Sequence, residues 1–176
     1  MIRYRIINKD DIEDITVKEF DYDDNVMVFF SINIKDKSYG YYHDKELKSG
    51  EYGFVIVNYW IFSLLETVHS FKNNSSIAIS DIESMDNWVQ VTSHQESVTL
   101  NIVKHDKSGL PHLFKGSLPH KPHKQDSSLL GVVDWNQFKE DIMMVTQQYI
   151  DDILNINPGL AESNSIKKLS HLLSLI

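Results

Sequence analysis

Hydrophobic positions recur along this chain with two periods, and the switches between them mark out its elements. Over VMVFFSINIKD (26–36), Val26, Val28, Phe30, Ile32 and Ile34 occupy every second position. Such alternation predicts a strand with one buried face. IRYRIIN (2–8) reads as an earlier strand and KSYGYYH (37–43) as a returning hairpin partner. Between the first two, DDIEDITVKEFDYDDN (10–25) holds eight acids, too many for a buried element, and a short edge strand is expected near ITVKEF.

The period then lengthens. In SGEYGFVIVNYWIFSLLETVHSFKNN (49–74), Phe54, Val57, Ile61, Leu64, Leu65, Val68 and Phe71 lie on one helical face. Ser49 suits a cap, Glu51 the positive end of the helix, and Asn73–Asn74 a stop. The β-branched run at 55–57 leaves a strand start open. SSIAIS (75–80), NWVQVTS (87–93) and SVTLNIVKHD (97–106) predict a three-strand meander with a tight turn at His94-Gln95-Glu96.

Residues 105–131 contain three of the four prolines and predict a long Pro/His/Lys-rich loop. DWNQFKEDIMMVTQQYIDDILNI (134–156) is the clearest helix, with Asp134 and Gln137 in a capping-box pattern. Trp135, Phe138, Ile142, Val145, Tyr149, Ile153 and Ile156 form its stripe, and Asn157-Pro158-Gly159 ends it. A last helix carries Ile166, Leu169, Leu172, Leu173 and Ile176 on one side. The expectation is one α+β domain over 1–176. Its largely antiparallel sheet of about six strands packs with a central apolar helix and two C-terminal helices.

Composition narrows the chemistry. At 176 residues and 41% hydrophobic the chain can bury a proper core. It has no cysteine, which removes disulfides, thiolate catalysis and cysteine-based zinc sites and suits a reducing cytoplasm. The start, MIRYRIINKDD, holds no apolar run of signal-peptide length, so an unprocessed cytoplasmic chain is expected. The longest apolar stretch, FVIVNYWIFSLL (54–65), is broken by Asn58 and Ser63 and is short of the roughly 20 residues that span a bilayer.

The net charge of −8 is unevenly spread: −3 over 1–50, −5 over 51–100, +3 over 101–130 and −3 thereafter. An acidic chain repels a phosphate backbone, so direct nucleic-acid binding is not expected, whereas a basic protein partner is attracted. A monomer or a weak homo-oligomer is expected.

Three clusters invite a chemical reading. Asp81, Glu83 and Asp86 fall within six positions at a strand end, where Ile82 breaks the alternation. Metal-dependent nucleases of the restriction-endonuclease type pair an Asp with Glu-x-Lys on the next strand. Here Glu96-Ser97-Val98 lacks the lysine, so an acidic binding surface is the better reading. Asp21, Asp23 and Asp24 extend it as candidates. His112, His120 and His123 in the 105–131 loop are the alternative, a metal-dependent hydrolase or nuclease site shared with the acidic turn. Lysines 115, 121 and 124 beside them repel a cation. Tyr41–Tyr42 and Trp88 are candidate exposed aromatic anchors. No nucleophile elbow, P-loop or dinucleotide fingerprint is present, and core packing explains the apolar stripes without a cofactor.

The layout of residues 26–106 is a strand hairpin, the Trp/Leu-rich GEYGFVIVNYWIFSLLETVHSF, then SSIAIS, NWVQV and ESVTLNIVKHD. It resembles small bacterial immunity proteins of polymorphic-toxin and contact-dependent growth-inhibition systems. The resemblance lies in layout and acidity, and it carries over no residue roles. It implies a non-enzymatic inhibitor that blocks a cognate toxin domain, many of which are basic nucleases.

Overall fold

The computed structural model describes residues 1–23, 26–48, 55–71, 75–119 and 127–176, with Asp23 described in its backbone alone. Among these residues it is α+β, with nine strands in two antiparallel sheets and five α-helices. The expected single sheet of about six strands is thus divided in two, and the additional strands are short ones or lie outside the meander.

The first sheet is built on β2 (Met27–Ile34). β1 (Ile2–Ile6) pairs along one side of it, Tyr4 opposite Phe30. β3 (Lys37–Tyr41) returns on the other side through a two-residue turn in which Lys35 has φ 54°. Val28, Phe30, Ile32 and Ile34 all face the core, as the alternation predicts. β4 (Val55–Ile56) also pairs with β2, so the apolar run opens with a strand, and helix α3 follows at Val57–Ser70. The expected helix start at Ser49 and stop at Asn73–Asn74 lie outside the described residues.

The acidic run forms two short helices, α1 (Lys9–Asp14) and α2 (Val17–Asp23), rather than an edge strand. Thr16 and Glu19 explain α2. Glu19 Oε2 accepts from the Thr16 amide at 3.0 Å, and Thr16 Oγ1 accepts from the Glu19 amide at 3.3 Å, a reciprocal capping box. Ile12 and Phe20 are the apolar residues these helices bury.

The second sheet runs β8-β5-β6-β7-β9. Its centre is the expected meander: β5 (Ser76–Ser80), β6 (Asn87–His94) and β7 (Ser97–Lys104). Residues 105–131 are not all loop. β8 (Leu113–Lys115) pairs with β5, and β9 (Ser127–Asp134) pairs with β7, with a register shift at Leu100/Asn101. At Gly131 a Cβ would lie 2.9 Å from Ile34 Cβ, so glycine is what lets the sheets approach there.

α3 packs on β2 and β5 and against both C-terminal helices, α4 (Trp135–Ile156) and α5 (Asn164–Ser174). Trp60 of α3 stacks on Phe30 with centroids 5.2 Å apart, at the middle of one core shared by both sheets. Burial of each such side chain contributes roughly 1.5–3 kcal/mol. Asp134 caps α4, accepting from the amides of Asn136 and Gln137 at 2.8 and 3.1 Å. A 3-10 turn (Pro158–Glu162) then leads to α5, which Ser163 caps. On the opposite face of the second sheet, Ala78, Trp88, Val103 and Leu118 form a small separate core.

Candidate functional site

The acidic turn joins β5 to β6 and is closed by its own backbone. The Asp81 amide donates to Asn87 O at 3.0 Å, and the Ser84 amide donates to Asp81 O at 3.1 Å. Ser84 Oγ accepts from the Asn87 amide at 2.9 Å. Lys107, from the loop after β7, reaches under the turn and donates to the carbonyls of Asp81 and Ser84, the latter at 2.5 Å. Burial holds its ammonium below the ordinary lysine range, against the opposing pull of Asp81, Asp86 and Glu83. One cation therefore faces three carboxylates.

Those carboxylates have different duties. Asp81 is engaged at both oxygens, one accepting from the Tyr39 hydroxyl and the other from the Glu83 amide at 3.1 Å. Burial and this bond push the Tyr39 phenol far above its usual range. Glu83 accepts from the Ile56 amide at 2.9 Å, just ahead of α3. Burial, with Asp81 close by, raises the Glu83 carboxyl above the ordinary glutamate value. Tyr59, whose hydroxyl donates to Ser80 O and His112 O, is pushed up to about 12 by burial and the same carboxylates.

Asp86 fixes the turn through its carbonyl, which accepts from the His105 amide at 2.7 Å. Its carboxylate has no hydrogen bond or ion pair among the described residues. Between it and Glu83 stands Met85, 94% exposed. The turn is thus a braced projection with an apolar side chain between two carboxylates.

The other proposed residues do not join this turn. Trp88 is fully buried, its indole donating to His105 O at 2.9 Å, which corrects the expectation of an exposed anchor. It lies under the 105–119 loop, which the local sequence does not reveal. Asp21 accepts from the amides of Asn164 and Ser165 at 2.9 and 3.1 Å, closing the start of α5. The Asp23 side chain, Asp24, His120 and His123 lie outside the described residues. His112 is exposed beside Tyr59, with ring centroids 6.1 Å apart. Among the described residues no group of three or more His, Asp or Glu is placed to hold a metal.

A search against protein-family models, curated proteins and solved structures finds no match. Among the described residues no helix is long and apolar enough to cross a membrane.

A second surface lies around the segment 42–48. Arg5 Nη1 donates to the carbonyls of His43 and Lys45, and Arg3 pairs with Asp44 at 3.0 Å while lying 4.0 Å over the Tyr42 ring. Two arginines of β1 thereby strap this segment down. Tyr42 lines two concavities: a shallow one of about 210 Å³ on the outer face of the first sheet, and a groove of about 960 Å³. The outer face adds an aromatic cluster in which Phe29 packs edge-on against Tyr41, itself 60% exposed. Sequence spacing cannot show this assembly, because β1, α1, the strap and α4 meet only in the folded chain. The Tyr41–Tyr42 pair is its one visible sign.

Proposed function

We propose that this protein is an immunity-type inhibitor that binds a basic toxin domain of the nuclease kind through the acidic turn at 81–86. The observation that carries the reading is Met85. An almost fully exposed methionine, close to Glu83 and Asp86 on a turn braced by Lys107, suits an interface, where methionine is enriched over the rest of the surface. Bracing matters because a loop ordered in advance loses little freedom on binding. The carboxylates would occupy the positive surface that a nuclease offers to phosphate, and Met85 would fill an apolar recess between cations. In this arrangement Asp81 is a positioning residue, since both of its oxygens are already engaged within the turn.

The resemblance of residues 26–106 to immunity proteins and the net charge of −8 support the same reading. Co-expression with the products of its neighbouring genes, assayed for a basic toxin domain among them, tests it. The proposal expects a complex that weakens with salt and a toxin that loses its activity in it. A toxin domain that stays fully active in excess inhibitor overturns it.

A further inference from the structure

The groove beside α1 has a composition that selects a ligand. Its apolar lining includes Ile7, Met27, Leu47 and Ile156, and Met27 is itself 40% exposed. Its rim carries Asp10, Asp11, Asp44 and Asp152 against Arg5 and Lys9. Some of these charges are already committed. Asp44 pairs with Arg3, and Asp152 accepts from the Tyr4 hydroxyl at 2.6 Å. Arg5 donates to the two strap carbonyls. The carboxylates of Asp10 and Asp11, like the ammonium of Lys9, have neither hydrogen bond nor ion pair among the described residues. The surface thus offers two uncommitted carboxylates above an apolar trough, and its volume of about 960 Å³ is that of a ligand cleft.

We propose that this groove seats an arginine-bearing extended segment of a partner protein. Long basic side chains lay an aliphatic stem on apolar surface and keep the charged head at its edge, which matches this lining and rim. The strap itself shows how guanidinium is held here, by the Tyr42 ring for Arg3 and by carbonyls for Arg5. A planar guanidinium can stack on a ring and fork its donors at once, whereas an ammonium is a compact point charge. An anionic ligand is disfavoured because carboxylates outnumber cations on the rim. The inference does not depend on the acidic turn or on the identity of a toxin.

The test is an NMR titration of the 15N-labelled full chain with hexa-arginine and hexa-lysine peptides at about 0.15 M salt, where long-range attraction is largely screened. Expected are saturable shifts confined to residues lining the groove, and tighter binding of hexa-arginine. Asp10→Asn with Asp11→Asn should weaken that binding about tenfold. Met27→Ser, which leaves the charge unchanged, should weaken it as well. Glu83→Gln with Asp86→Asn should leave it unchanged, which separates this groove from the turn. Thermal unfolding of each variant reads the fold independently. Shifts spread over every acidic surface, or a Met27→Ser variant that binds like the wild type, would overturn the proposal.

Discussion

Lys107 donates to the carbonyl oxygen of Ser84 at 2.5 Å, so the lysine-bearing loop and the acidic turn form one structure. The ammonium donates to two carbonyls of the turn, those of Asp81 and Ser84. Lys107→Met keeps most of the stem and removes the donor. It should cost about 1–2 kcal/mol in urea unfolding, since hydrogen bonds from charged donors exceed neutral ones. Amide exchange at Ser84 and Asn87 should also speed up. Unchanged protection at both amides would show that the backbone bonds alone hold the turn.

Asp21 separates a structural acid from a binding one. Its carboxylate supplies acceptors to the first amides of α5. Asp21→Ala should lower stability by about 1 kcal/mol, the ordinary cost of a lost helix cap, and leave affinity for a partner at the turn unchanged. Thermal melting together with calorimetric titration measures both.

Glu83 gives a pH dependence of definite sign. Burial raises its folded-state carboxyl above the ordinary value of 4.5. Such a group contributes stability that is complete below the unfolded value and is lost as pH rises through the folded one. Glu83→Gln keeps an acceptor for the Ile56 amide and cannot ionise. The wild type should therefore lose stability relative to this variant as pH rises from about 4.5 to 7, seen as diverging urea midpoints. A constant difference would place the carboxylate in bulk-like solvent.

Gly131 and Ile34 mark the join between the sheets. Gly131→Ala should destabilise by about 1–3 kcal/mol through overpacking. In a double-mutant cycle with Ile34→Ala the two changes should be strongly non-additive, with the smaller side chain relieving the added methyl. Simple additivity would mean that β9 shifts away instead.

Much of this fold is legible from period and caps. The Val26–Ile34 alternation, the meander from Ser76 to Lys104 and the Asp134 cap of α4 are all local signals, and the structure uses each of them. The Thr16–Glu19 capping box is equally local, but the density of acids around it suggested an exposed edge. β8 and β9 escape a sequence reading because their evidence is long-range: Leu113 pairs with Ile79, and Val133 with Val98. The site is less legible than the fold. Proximity in sequence placed Asp81, Glu83 and Asp86 together correctly, yet it gave no sign of Lys107 across more than twenty intervening residues. Nor can it tell Asp81, engaged at both oxygens, from Asp86, whose carboxylate has no hydrogen bond among the described residues. The exposure of a single methionine such as Met85 has no sequence signature.

The most direct measurement is the affinity of the full chain for a basic toxin domain captured from among the products of its neighbouring genes, by titration calorimetry at several salt concentrations, with and without Met85→Ser and Asp86→Lys. The wild-type complex should weaken steadily with salt. The double variant should bind at least about a hundredfold more weakly, with a flatter salt dependence, as expected when an anchor and a rim charge are removed together. Binding by the double variant at wild-type affinity and with the same salt dependence would contradict the assignment of the acidic turn as the inhibitory surface.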